Sequence, residues 1–172
     1  MAFDAFLKLD GIQGESTDAV HKGEIELLSF SWGESRPSRL TGGGGGGAGK
    51  TSFQDFHFTK LSDSTTPALF QAVAAGKAIG TGTLSIRKGG DQPTDAAGAP
   101  QDFLKLTLQN VLVSSYQLGG GLMDDGTYSA ISTGDFDAPA EQFTLTFQKL
   151  ALHFASPSTG IAADAAIDAT SN

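Results

Sequence analysis

The chain has 172 residues, 39% of them hydrophobic and 17% charged, with 23 glycines, no cysteine and a formal net charge of −8. That length suits one domain burying roughly two thirds of its unfolded surface. The missing cysteines exclude disulfides and thiolate metal sites, and the acidic balance argues against nucleic acid or anionic membranes as partners.

Most of the chain reads as strands. Residues 3–9 form a first one, closed by Asp10 and Gly11. Residues 24–32 form a second, with Leu28, Phe30 and Trp32 on one face and Ser29 and Ser31 on the other, alongside Ile25 and Leu27. A third lies around residues 52–60, where Phe56 and Phe58 flank His57. One helix follows, with Thr66 suited to the N-cap, Pro67 to the first turn and Gly76 to the left-handed C-terminal position. Leu69, Ala72, Val73 and Gly76 make its packing stripe. Leu84 and Ile86 alternate with Ser85 and Arg87 in a fourth strand, and residues 91–100 are a polar connection.

The clearest strand is 103–116, where Leu104, Leu106 and Leu108 alternate with polar residues until the phase slips at Asn110, to Val111 and Val113. A second slip separates Phe143, Leu145 and Phe147 from Leu150, Leu152 and Phe154. Two strands that change phase midway imply bulges or strong curvature, hence a mainly β barrel or tight sandwich. After Ser156 the residues are small and polar, so 1–155 reads as the domain and 156–172 as a disordered tail. No apolar run approaches the ~18 residues of a spanning helix, and no basic region precedes the first apolar residues, so no cleaved secretory signal is expected.

Gly44, Gly49, Lys50 and Thr51 match the phosphate-binding pattern G-x-x-x-x-G-K-[ST]. The context disagrees. The upstream side is polar and broken by Pro37, and the downstream side has strand spacing where a helix should begin. The bland reading is a flexible six-glycine loop. His21, His57 and His153 lie far apart, without metal-type neighbours, and Glu24 and Glu26 read as a solvated strand end. No catalytic residue, metal or cofactor is expected. Charge is segregated, however. Residues 36–50 carry Arg36, Arg39 and Lys50 with no acid, and residues 124–141 carry Asp124, Asp125, Asp135, Asp137 and Glu141 with no base. Segments of opposite sign would let identical copies attract one another head to tail.

Several segments together resemble Hcp, the tube-forming family of bacterial type VI secretion systems. They are FLKLDGIQGES (6–16), HKGEIELLSFSWG (21–33), GGGGGAGK (43–50), FHFTKLSDSTTPALFQAVAAGK (56–77), LSIRKGG (84–90), FLKLTLQNVLVSSYQLGG (103–120) and EQFTLTFQKLALHF (141–154). The resemblance implies a compact β-barrel of two curved antiparallel sheets with one flanking helix, forming hexameric rings. Such rings stack into a tube within a sheath, leave the bacterial cytoplasm with a tip protein, and hold effector proteins in the lumen. It further implies an assembly role for the glycine loop, with Arg36, Arg39, Gly43, Gly44, Gly45, Gly46, Gly47, Gly49 and Lys50. Ser31, and with it Ser29, would face the lumen. Two departures are a long acidic stretch at 122–140 and a chain end without the aromatic closing segment of many members. The competing readings are a secreted β-sandwich binding module, for example for carbohydrate, and a P-loop nucleotidase.

Overall fold

The computed structural model describes residues 3–37, 49–89, 101–119, 130–132 and 137–170. In chain order the elements are β1 (Phe3–Leu9), β2 (Ile25–Leu27), β3 (Ser29–Ser31), β4 (Glu34–Ser35), β5 (Ser52–Phe53), β6 (Phe56–Leu61), α1 (Thr66–Ala75), β7 (Ile79–Lys88), β8 (Asp102–Leu118), β9 (Ala130–Ser132), β10 (Asp137–Thr146), β11 (Lys149–Ala155) and β12 (Ala162–Asp168).

Antiparallel pairing builds two walls. The first runs β2-β1-β7-β8-β11-β12, and the second runs β8-β10-β6-β3, with β9 added beside β10. At 17 residues β8 is long enough to serve both. Leu104 to Gln109 pair with β11, whereas Leu112 to Leu118 pair with β10. The strand path starts at β2 and ends at β3, which are consecutive in the chain and separated only by Leu28. Leu28 donates its N–H to the Thr59 carbonyl at 2.8 Å. The sheet therefore curls until its two end strands meet at Leu28, and among the described residues no ladder closes the barrel between β2 and β6.

The expected single strand over 24–32 is thus two. Each half joins a different wall, so the phase resets at Leu28, which is exposed, while Ile25 is buried and Phe30 and Trp32 pack on the core. The two phase slips have the same origin and meet in space. Asn110 takes φ 52°, a left-handed backbone that asparagine tolerates better than bulkier residues. Its Nδ2 donates to Gln148 Oε1 at 2.9 Å, and the Gln148 N–H donates to the Gln109 carbonyl at 3.1 Å. At this point β8 crosses between walls and β10 gives way to β11. A second irregularity between Thr144 and Leu145 leaves Ser114 as an extra residue in β8.

The core between the walls is aromatic and aliphatic. Trp32, Phe56, Phe58 and Phe143 stack in succession, with ring centroids 5.2, 5.8 and 5.2 Å apart. Helix α1 buries Leu69 fully and packs Ala72 and Val73 on the same cluster. Its N-cap is Thr65, one residue before the expected Thr66, without a side-chain capping hydrogen bond, and the Thr66 hydroxyl donates to Glu141. Gly76 ends the helix at φ 59°, donating to the carbonyls of Ala72 and Val73.

The chain end departs from the expected disordered tail. Ala162–Asp168 forms β12, in register with β11 from Ala155↔Ala162 to Lys149↔Asp168. Ile167 and Ala169 pack against the core, and the Ala169 N–H donates to the Gln148 carbonyl at 2.7 Å. Small side chains offer little apolar area, but a local hairpin supplies backbone hydrogen bonds at low loop-closure cost.

Candidate functional site

Alternation along the second wall sends Phe30, Phe58, Phe143 and Leu145 inward, so their neighbours project outward. Registered pairing then lines up two rows across four strands. One row is Ser29–Thr59–Gln142–Gln117, and the next is Ser31–His57–Thr144–Ser115. These eight side chains line a shallow depression of about 350 Å³, and none carries a carboxylate or an ammonium group. Ser115 and Thr144 share a hydroxyl contact of 2.6 Å. Ser29, Ser31, His57, Thr59, Gln117 and Gln142 have no side-chain hydrogen bond among the described residues.

The edges of this wall differ from its face. Beside β3 lie Phe3 and Leu28, 47% and 39% exposed, with Phe3 edge-on to Phe30 at 5.7 Å. The opposite edge, residues 112–118 of β8, carries exposed Leu112 and Leu118 and is flanked by Phe70 of α1, 64% exposed and 6.1 Å from Tyr116. Five of the eight large hydrophobics exposed among the described residues thus border this one wall.

The acidic partner proposed from sequence is only partly available. Glu141 is fully buried and pairs with its cross-strand neighbour Lys60, also fully buried, at 2.7 Å. Its other oxygen accepts hydrogen bonds from Tyr116, Thr66 and Ser62. Lys60 also reaches Asp63 and the Leu61 carbonyl. Glu141 therefore contributes nothing to a surface charge and instead bolts the start of α1 to the barrel. Burial, and next the Glu141 carboxylate, push the Tyr116 phenol up to about 12. Asp124, Asp125 and Asp135 lie outside the described residues, and of Asp137 only the strand backbone is described.

The glycine loop rises from a short β4–β5 stem. Arg36 Nε donates to the Gly49 carbonyl at 2.9 Å. Gly49 is required there, because a Cβ would sit 2.4 Å from the Pro37 carbonyl oxygen. Arg39 and Gly43 to Gly47 lie outside the described residues. Lys50 leads into strand β5 and not into a helix, so among the described residues no helix N-terminus follows it to cradle phosphate.

Sequence reading missed a second charged cluster, on the outer side of the first wall. There His21 stacks on Phe6 at 4.4 Å, with Nδ1 3.0 Å from Glu24 and Nε2 2.9 Å from Asp102. Burial opposes charge on this imidazole, but the Asp102 and Glu24 carboxylates outweigh it and hold the pKa up at about 9. Arg87 lies over the Phe6 ring, 4.9 Å from its centroid, and binds Asp18 and Asp4. The Arg87 hydrogen bond holds the Asp18 carboxyl far below its ordinary range. The cluster clamps residues 16–24 onto the barrel. Among the described residues no group of His, Asp and Glu is disposed to hold a metal ion.

Comparison with known proteins agrees with this architecture. The family described as "Type VI secretion system effector, Hcp" matches residues 6–154. Protein hcp1 of Pseudomonas aeruginosa is 37% identical over 154 residues, covering 90% of this chain and 84% of that protein. Hcp1 from Salmonella typhimurium superposes with a TM-score of 0.71 at 28% identity, covering 100% of this chain and 98% of the other. A structure described as a type six secretion system protein gives a TM-score of 0.77 at 28% identity, covering 99% and 98%. The chain belongs to the Hcp family of type VI secretion proteins.

Proposed function

We propose that this chain is a structural subunit of the type VI inner tube, closing into hexameric rings whose lumen is lined by the outward face of the second wall. The observation that carries this reading is the pair of apolar edges on opposite sides of that wall. Two different patches that meet head to tail form a heterologous contact, which closes into a ring when the rotation per copy allows. Burial of Leu118 and Phe70 of one copy against Phe3 and Leu28 of the next would drive it. Rings then stack, with the glycine loop (Arg36, Arg39, Gly43 to Gly47, Gly49 and Lys50) reaching a neighbour, and Asp124, Asp125, Asp135 and Asp137 as its acidic counterpart. The subunits begin in the bacterial cytoplasm and leave with tip and effector proteins inside the sheath. Ser29 and Ser31 face the cargo. The role is structural, without catalysis or cofactor.

Native mass spectrometry with negative-stain imaging tests the reading. The parent protein is expected to give closed rings with an open centre. Leu118→Lys and Phe70→Glu are expected to give monomers that melt within about 3 °C of the parent, since surface substitutions rarely change stability much. A parent that stays monomeric at tens of micromolar, or rings indifferent to both substitutions, would overturn it.

A further inference from the structure

We infer that the eight-residue face of the second wall selects cargo by neutral hydrogen bonding, so that it takes protein surfaces rich in hydroxyl and amide groups and turns away strongly charged ones. This rests on the reading of that face as a lumen surface and specifies what the lumen recognises.

Three observations converge. The chain carries −8 overall, yet both rows across β3, β6, β10 and β8 are built only from Ser, Thr, Gln and His. Asp55, the residue before β6, lies beyond the rows and accepts a hydrogen bond from Ser114 Oγ at 2.7 Å. Six of the eight side chains keep their donors and acceptors uncommitted to other side chains among the described residues. Such a surface can hydrogen-bond a charged partner but holds no opposite charge to pair with it once its water is lost, whereas a neutral polar partner exchanges water hydrogen bonds for protein ones at little cost. Each such bond is weak. A ring repeats the two rows once per subunit, and simultaneous contacts multiply a weak affinity without any single strong site. His57 and Gln142 are the residues to which we assign most of the selectivity. They sit in the middle strands, one in each row, and offer longer reach than their serine and threonine neighbours.

The test uses a small designed helical-bundle protein in three surface versions, one rich in Ser, Thr and Gln, one acidic and one basic. Each is mixed with the full-length protein, and co-sedimentation is measured at 0.05 and 1 M NaCl. The neutral version is expected to be retained, with less than a twofold change between salts, and the charged versions to be released. Retention of the neutral version should fall at least fivefold in the His57→Glu, Gln142→Glu double variant, which should instead retain the basic version at low salt only. Preference for either charged version by the parent, or salt-sensitive retention of the neutral one, would overturn the inference, as would an unchanged double variant. Native mass spectrometry of the same samples separates the two readings. Monomers that still prefer the neutral version would sink the ring and leave the face, while rings that retain nothing would sink the face and leave the ring.

Discussion

At His21 a proton is held against burial, and the consequence is a stability that depends on alkaline pH. The folded pKa of about 9 lies above the ordinary 6.5. A raised histidine contributes fully below the unfolded pKa, and that contribution is lost as pH climbs through the folded one. The window is therefore about pH 6.5 to 9, and a shift of this size corresponds to about 3 kcal/mol. Urea midpoints are expected to fall across that window for the parent and to stay nearly flat for His21→Gln. Lys60 and Glu141 give a second residue-scale test. Glu141→Ala removes one of the two carboxylates beside the buried Lys60 ammonium and the acceptor shared by Tyr116, Thr66 and Ser62, and is expected to cost about 3 kcal/mol. The double variant Lys60→Met, Glu141→Leu should recover at least half of it in urea melts with an unchanged slope. Neither cluster was legible in the sequence. The partners are 81 residues apart for His21–Asp102, and for Lys60–Glu141 they meet only through strand register.

Among elements, what alternation encodes was readable and what pairing encodes was not. The slip at Asn110 and the helix stripe of Leu69, Ala72 and Val73 could be seen because each is a local period. The break at Leu28 was hidden, since its cause is the change of partner from β1 to β6. Strand β12 was hidden for a similar reason. Its stability comes from the hairpin with β11, and its alanines give no apolar signal. Truncation after Pro157 removes the Ile167 contact and bares the β11 edge, so a loss of about 2 kcal/mol is expected from the lost apolar area. For a chain of this size that is a fall of about 4–8 °C in Tm by scanning calorimetry. An unchanged Tm would mean that β12 rests on the barrel without supporting it.

At the scale of the whole molecule, the family and barrel followed from the order of segments, while the distribution of surface character came only with the fold. The glycine loop is a case where the outcome should separate assembly from folding. Shortening Gly42–Gly47 to two glycines leaves the Arg36–Gly49 stem intact, so the circular dichroism and Tm of the subunit are expected to hold within about 2 °C. Tube length by electron microscopy is expected to shrink. Salt should shorten the parent tubes as well, since the Debye length falls to about 3 Å at 1 M and exposed charge pairs are then screened. Equal tubes from both proteins would reduce the loop to a linker.

The sharing of β8 between both walls has a mechanical side. Because one continuous strand threads the two sheets, neither wall can slide along its strand direction without straining the other. Its ladders to β7, β10 and β11 would be loaded together, in shear, by any force directed along that strand. Bonds loaded in parallel share the load and yield together. A subunit built this way should resist a thrust up to one sharp threshold and then fail as a unit, which would suit the tube role proposed above, where a part is pushed as a rod and does not bend as a hinge.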